Sequence, residues 1–205
     1  MQKLFLTIKN NSMGELTEKK SRFIANVFYI KDEKEAEEKI AEVKKTNRDA
    51  RHNVYAYRLD NGVEKYSDDG EPSGTGGVPI LDILRGEKLF NVLVVVTRYF
   101  GGILLGTGGL VRAYSGAAKI ALENTIKVEM KLCREYKVGL DYDMYNIFQY
   151  YCRNNDIKIL ETKFLDKIEV NVLVVDSYTQ KFLNDLSEIT NRNASVEEVS
   201  EYYHE

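Results

Sequence analysis

The sequence predicts an α+β protein built from two domains. Strand and helix patterns alternate along its 205 residues, and the final third has the order βαββαβ. Charge is also divided unevenly: residues 1–133 hold 21 Lys or Arg and 18 Asp or Glu, whereas residues 134–205 hold 8 and 14. We therefore expect one domain over residues 1–130 and a second, more acidic domain over residues 131–205.

The first domain opens with two strand-like segments and a charged helix. LFLTI and RFIANVFYI have the composition of strands. The segment KDEKEAEEKIAEVKKTNRDA follows them and places Ala36, Ile40 and Val43 on one face. That spacing predicts an amphipathic helix that buries this face against the sheet.

A hairpin and two strand-to-helix connections complete the first domain. VYAYRLD and VEKYSD flank Asn61-Gly62, a strong signal for a tight hairpin turn. ILDILRGEKL reads as a helix, and VLVVVT suits a strand that is buried on both faces. A final helix is predicted in GLVRAYSGAAKIALENT.

The second domain carries a regular strand and helix pattern. Its predicted elements are CREYKVGLDY (strand), DMYNIFQYYCRNND (helix), IKILETKF and KIEVNVLVVD (strands), SYTQKFLNDLSEITNRN (helix) and ASVEEVSEYY (strand). The order βαββαβ is that of the ferredoxin-like fold. Because this fold supports many functions, it names none of them.

Composition excludes several classes of protein. Strand-like apolar runs such as Val92–Val96 are far shorter than the roughly 18 residues of a membrane span, so we expect a cytoplasmic protein with no membrane partner. Two isolated cysteines and two histidines give little material for a zinc site, a redox motif or a histidine triad. The acidic second domain is a poor binder of phosphate backbones, so a polyanion should contact the first domain.

Ten of the fourteen glycines and both prolines lie between residues 70 and 109, and the tetrapeptide GTGG occurs there twice, at residues 74–77 and 106–109. Neither copy continues as a P-loop or as GxGxxG, so ATP-driven chemistry is not predicted. Two interpretations remain open. The glycines either let two helices pack closely on the sheet, or let the backbone approach phosphate groups. In the second case Thr75 and Thr107 are placed to cap helices whose first amides attract anions.

The residues around the glycines supply candidate ligand contacts. Arg98, Arg112 and Lys119 flank the second segment and are expected to hold phosphates, while Tyr99 offers a stacking surface. Asp68, Asp69 and Glu71 crowd three carboxylates into four residues, which suits either a Mg²⁺ or acid/base site or simply a tight turn. The tight turn is the favoured interpretation, with the carboxylates accepting hydrogen bonds from amides of a neighbouring loop.

The full predicted ligand-binding set joins these side chains to both glycine segments. His52 precedes the strand VYAY and is added as a side chain that can point into the same cleft, although a core or surface position is the more usual one for a lone histidine. Ser73 is a weak nucleophile candidate without a GxSxG elbow. No catalytic residue, metal site or cofactor is predicted. The set consists of His52, Asp68, Asp69, Glu71, Ser73, Gly74, Thr75, Arg98, Tyr99, Gly106, Thr107, Gly108, Arg112 and Lys119.

Long motifs in the first domain resemble the Impact family. They are KKSRFIA, RHNVYAY, YSDDGEPSGTGGVPIL and NVLVVVTRYFGGILLGTGGLVRAYS, which together cover most of residues 17–120. The chain resembles the two-domain bacterial type of this family. It departs from the family pattern at Asn53, where many members carry cysteine, and in its first GTGG, where GTAG or GTSG is more usual.

The resemblance implies a fold and a field of function. The first domain should be the α/β type seen in ribosomal proteins and in the fourth domain of elongation factor G, followed by a ferredoxin-like domain similar to that factor's fifth. Eukaryotic relatives regulate translation by competing for the activator of a starvation-responsive kinase. They act through an additional RWD domain that is not expected here, so the resemblance implies no kinase role.

Three functions are compatible with the sequence. The favoured hypothesis is a translation-related protein that binds RNA or ribosomal components through phosphate contacts of the first domain. The first alternative is an enzyme that acts on a small phosphorylated or carboxylated metabolite at the cleft between the glycine segments. The second alternative is a protein-interaction module. Enzymatic activity is not the favoured hypothesis.

Overall fold

The computed structural model describes residues 4–205, which form two compact units. The boundary between them along the chain lies between Glu129 and Met130. Each unit combines an antiparallel sheet with helices. The predicted α+β class is therefore confirmed. No helix in the described part of the chain is long and apolar enough to cross a membrane.

The N-terminal unit is a twisted sheet covered by helices on both faces. Its strands pair antiparallel in the order β2-β3-β6-β4-β5, while β1 makes an isolated bridge from Leu6 to Leu89. The elements are β1 (Leu4–Ile8), β2 (Ser12–Glu18), β3 (Ser21–Tyr29), α1 (Glu33–Thr46), β4 (His52–Arg58), β5 (Glu64–Ser67), α2 (Gly77–Gly86), β6 (Val92–Tyr99) and α3 (Thr107–Glu123).

The central strand β6 is buried along Val92–Arg98, as its apolar sequence predicts. Val94 and Val96 belong to the core that also contains side chains of α2 and α3, whereas Leu93 and Val95 belong to the core beneath α1. Alternate residues of one strand thus serve two hydrophobic cores. This explains why β6 shows no alternation of polar and apolar residues.

Small residues allow α3 to approach the sheet closely. A Cβ atom added to Gly14 of β2 would lie 2.5 Å from the backbone nitrogen of Ala121, and one added to Gly116 would lie 2.9 Å from Leu16 Cδ2. Ala113 and Ala117 are buried in the same contact. The tight-packing interpretation therefore holds for the middle and end of α3.

Glu64 joins β5 to the end of α2 and to β4. Arg85 Nε donates to Glu64 Oε2 at 2.9 Å, and Arg58 Nε donates to Glu64 Oε1 at 2.6 Å. The hydrogen bond from Arg85, followed by that from Arg58, holds the pKa of the Glu64 carboxyl below its ordinary value of 4.5. The carboxylate is thus stabilised in its charged form in the folded protein.

This pairing predicts a pH-dependent contribution to stability. Because the folded pKa of Glu64 is lowered, its contribution is present above about pH 4.5 and is lost as the pH falls through the folded value. We expect Glu64→Gln to destabilise the N-terminal unit by about 1 kcal/mol at pH 7. The difference from wild type should shrink below pH 4.5 in urea titrations. An equal difference at pH 3.5 and pH 7 would contradict this assignment.

The C-terminal unit has the predicted ferredoxin-like fold. Its elements are β7 (Lys127–Leu140, which begins before the boundary), α4 (Tyr142–Asn154), β8 (Lys158–Phe164), β9 (Ile168–Val175), α5 (Thr179–Ile189) and β10 (Ser195–His204). These strands pair antiparallel in the order β10-β7-β9-β8. Phe148 of α4 and Phe182 of α5 are fully buried against Val138, Val170 and Val172 of the sheet. Both cysteines, Cys133 and Cys152, are free and buried.

Candidate functional site

A cavity of about 450 Å³ opens on the N-terminal unit where the two glycine-rich segments approach each other. The loop that leads into the first GTGG contributes Glu71 and Pro72, although none of residues 74–77 lines the cavity, and the second GTGG contributes Gly106 and Thr107. The remaining walls come from the start of β4, the end of β6 and the loop that leads to α3. They consist of Arg51, His52, Arg98, Phe100, Leu104, Leu105 and Leu110.

A buried ion pair forms the floor of this cavity. Arg98 Nη1 donates to Glu71 Oε1 at 2.6 Å, and the two side chains are only 7% and 4% exposed. Tyr114 of α3 donates its hydroxyl to the same oxygen at 2.8 Å. Burial raises the pKa of Tyr114, so this hydroxyl keeps its proton and remains a donor.

Arg98 has a buried hydrogen-bond donor that is unused. Its Nε is buried and has no hydrogen-bond partner among residues 4–205. Such a buried donor costs free energy unless something accepts from it. Arg98 itself lines the cavity, and a guanidinium group binds acceptors such as phosphate or carboxylate oxygens.

His52 lies beside the ion pair because it is paired with Arg98 in the sheet register. Its Nδ1 is 2.9 Å from the carbonyl oxygen of Asp69, and its Nε2 is 3.9 Å from Glu71 Oε1. A carbonyl oxygen only accepts, so the Nδ1 atom carries the proton in this hydrogen bond. The structure therefore fixes the ring with Nε2 directed toward Glu71.

The amides of the first glycine segment are already occupied. Asp68 Oδ1 accepts from the backbone nitrogens of Gly76 and Gly77 at 2.9 and 2.8 Å, and Asp68 Oδ2 accepts from that of Gly74 at 2.8 Å. Asp68 thus performs the role that an external anion would play at the start of α2. The anion site that was predicted between the two glycine segments is therefore already occupied at the start of α2 by the Asp68 carboxylate.

The other two carboxylates point elsewhere. Asp69 accepts from Lys44 Nζ and from the backbone nitrogen of Asn53, each at 2.7 Å, and Glu71 faces Arg98. Within residues 4–205 no three His, Cys, Asp or Glu side chains are arranged to hold a metal ion. The three acidic residues therefore organise a turn, and each has its own partner.

The second glycine segment leaves the first turn of α3 open. Gly106 is the N-cap residue with a φ of 71°, and neither it nor Thr107 caps the helix with a side chain. Thr75 also fails to cap its helix, since it is buried and donates to the carbonyl oxygen of Pro72. The predicted threonine caps are thus wrong, and glycine is the N-cap residue of both helices. Gly106 supplies a positive φ, whereas Gly76 leaves room for Val54, whose Cγ1 would lie 2.7 Å from an added Cβ.

The open helix start carries a positive side chain. Thr107 and Gly108 are exposed, and the first bond of the helix runs from the nitrogen of Leu110 to the oxygen of Gly106. The amides before Leu110 therefore have no partner within the helix. Arg112 Nη1 lies 3.6 Å from the position of a Cβ added to Gly108. This end of α3 thus favours anions through both the amides and a guanidinium.

Five residues of the predicted set line the cavity: His52, Glu71, Arg98, Gly106 and Thr107. The other nine lie outside its lining: Asp68, Asp69, Ser73, Gly74, Thr75, Tyr99, Gly108, Arg112 and Lys119. Tyr99 donates its hydroxyl to Asn47 at the end of α1. Lys119 is exposed on α3, about 18 Å along the helix from Thr107 at 1.5 Å per residue. Ser73 is exposed on the first segment.

Sequence reasoning missed the contribution of Arg51 and of the loop before Gly106. Arg51 is exposed, lines the cavity and has no ion pair within the described part of the chain. Its position just before His52 was the available signal, because the register of β4 on β6 places His52 opposite Arg98 at the cavity. Leu104, 82% exposed, marks the loop as a surface feature, but loop packing has no sequence periodicity that would reveal it.

Comparison with known proteins assigns both units. The Impact N-terminal domain family matches residues 19–122, and the Domain of unknown function (DUF1949) matches residues 138–191. The IMPACT family member YvyE of Bacillus subtilis (strain 168) is 36% identical over 95% of this chain and 90% of that protein. This chain belongs to the Impact family. The suggested resemblance is thereby confirmed.

Other relatives extend the similarity over both units of this Impact family protein. An IMPACT family member of Haemophilus influenzae is 36% identical over 90% of this chain and 91% of its own length. YigZ of Escherichia coli (strain K12) is 32% identical over 84% of this chain and 86% of its length. A solved structure, described as the crystal structure of a hypothetical protein, has a TM-score of 0.66 at 27% identity and covers 98% of this chain and 99% of its own. The Impact N-terminal domain contains every residue that lines the cavity.

Proposed function

We propose that this Impact family protein binds RNA, free or within ribosomal components, through phosphate contacts at the cavity of its N-terminal unit, in a role connected with translation. The single observation that carries the proposal is that Arg98, whose buried Nε has no partner in the described chain, lines the same cavity as the open first turn of α3. An anion accepts hydrogen bonds from both. RNA phosphate is an anion that also brings a base to stack.

The surroundings of the cavity suit a nucleotide chain. Phe100 is 45% exposed, and its ring centre is 5.5 Å from the Arg98 guanidinium carbon, so the ring offers a face beside a positive charge. Arg51 and Arg112 are exposed at the cavity and at the helix start. Stacking on an aromatic face with flanking guanidinium groups is a common mode of single-strand recognition.

Filter binding of a single-stranded RNA across a salt series tests this proposal. We expect affinity to fall as salt rises, and Arg51→Gln with Arg112→Gln to reduce the slope of log K against log salt by about 1.4, at about 0.7 per cation. The matched control is Lys31→Gln with Lys34→Gln, which removes two exposed charges near the start of α1. No binding by the wild type at 50 mM salt would refute the proposal.

A small phosphorylated or carboxylated metabolite is the second candidate. Its support is the size of the cavity, since about 450 Å³ falls within the range of small-molecule sites. Purification followed by native mass spectrometry should then find a defined compound bound, and Arg98→Lys should release it. Pull-down before and after nuclease treatment separates RNA binding from a protein partner, since only RNA-bridged partners disappear on treatment.

A further inference from the structure

The turn between β2 and β3 consists of residue types that disfavour its backbone conformation. The register pairs Glu18 with Ser21, so Lys19 and Lys20 alone form the connection. Their φ angles are 45° and 65°, both in the left-handed region. A two-residue hairpin with two positive φ angles favours Asn-Gly, because longer side chains are strained there. Lysine at both positions opposes the local preference.

The turn is held against the loop that lines the cavity. A Cβ added to Gly101 would lie 2.0 Å from the carbonyl carbon of Lys20 and 2.2 Å from its oxygen, so only glycine fits at residue 101. The backbone nitrogen of Gly101 donates to Ser21 Oγ at 3.1 Å. Phe100, the preceding residue, is part of the cavity wall. The position of the lysine pair relative to this wall is therefore fixed by backbone contact.

Both lysine side chains carry free charge. They are exposed, and neither forms an ion pair or a side-chain hydrogen bond with the residues that the structure describes. Arg22, one residue beyond the turn, differs because Glu15 accepts from its Nε and Nη2 at 2.8 and 3.0 Å. The turn thus presents two uncompensated positive charges, and its backbone contacts Gly101, the residue after the exposed Phe100.

We propose that the Lys19-Lys20 turn is a second phosphate-binding site, which contacts a single strand of RNA that extends beyond the cavity past Phe100. The inference rests on the proposed function and deepens it. Strained residues that persist against local preference are concentrated at binding sites. Neither lysine lines the cavity, so one phosphate bound at α3 does not reach the turn, whereas a strand that passes over Phe100 does.

Replacement of both lysines by the pair that the turn prefers separates charge from fold. Lys19→Asn with Lys20→Gly suits a backbone with two positive φ angles, so the thermal midpoint should stay the same or rise. The salt slope for single-stranded RNA should fall by about 1.4, at about 0.7 per lost cation. Lys19→Gln with Lys20→Gln should show the same loss, and Lys19→Arg with Lys20→Arg should keep the wild-type slope.

The outcomes distinguish this inference from the proposed function. Wild-type binding together with an unchanged slope in the Asn-Gly and Gln-Gln variants overturns the second phosphate site and leaves the cavity proposal standing. A slope reduced equally by the control pair Lys31→Gln and Lys34→Gln also overturns it, because the effect would then be that of net charge. Absence of RNA binding by the wild type overturns both proposals.

Discussion

Replacement of Glu71 by alanine is expected to lower the free energy of unfolding of the N-terminal unit by about 3–5 kcal/mol. The carboxylate is 4% exposed and accepts hydrogen bonds from Arg98 and Tyr114. Its removal leaves the Arg98 charge buried without its partner and leaves the Tyr114 hydroxyl without its acceptor. Uncompensated burial of a charge is among the largest effects that a single substitution produces.

The measurement should report on the N-terminal unit alone, because two units need not unfold together. Hydrogen exchange of the β6 amides fits this purpose, since that strand is central to the sheet. The double variant Glu71→Leu with Arg98→Met removes both charges and should recover most of the loss, because an apolar pair of similar volume avoids the desolvation cost. A loss below about 1 kcal/mol in Glu71→Ala would show that the buried pair contributes little.

Asp68→Ala is expected to cost roughly 2–4 kcal/mol, because three backbone amides of the first glycine segment lose a charged acceptor together. Asp68→Asn should lose about half as much. Its oxygen can still accept from Gly76 and Gly77, but its amide group would face the nitrogen of Gly74 as a second donor.

Residue-resolved exchange tests this prediction directly. The amides of Gly74, Gly76 and Gly77 should be protected in the wild type and should exchange much faster in Asp68→Ala. Asp49→Ala is the matched control, because Asp49 is exposed and no side-chain bond to it is found among residues 4–205. Equal protection in Asp68→Ala and Asp49→Ala would mean that packing of Gly76 and Gly77, and not the carboxylate, orders the segment.

Much of the fold was predictable because it follows from periodic patterns. The buried face of α1 at Ala36, Ile40 and Val43, the Asn61-Gly62 hairpin and the βαββαβ order of the second unit all follow from side-chain spacing or turn chemistry. The uniformly apolar sequence of β6 also predicted a strand buried on both faces, because each face packs into a different core. These signals are local and survive without knowledge of the tertiary structure.

The amides of the two GTGG segments differ in their hydrogen bonding, and the identical sequences of the segments could not predict this difference. Asp68, six to nine residues before the bonded glycines, occupies the amides of the first, whereas no side chain caps the second. Glu71, in the loop between β5 and α2, pairs with Arg98 at the end of β6, 27 positions away. A pair of this kind depends on how distant parts of the chain come together in the fold, which sequence spacing does not encode.

The free cysteines described above have a practical consequence for spectroscopy of this protein. Burial raises the pKa of the Cys152 thiol to about 12 and also raises that of Cys133, so both stay protonated and shielded at neutral pH. Thiol reagents need an accessible thiolate. A single cysteine introduced at an exposed site can therefore carry a fluorophore or spin label in the otherwise unmodified chain, without prior removal of the native cysteines.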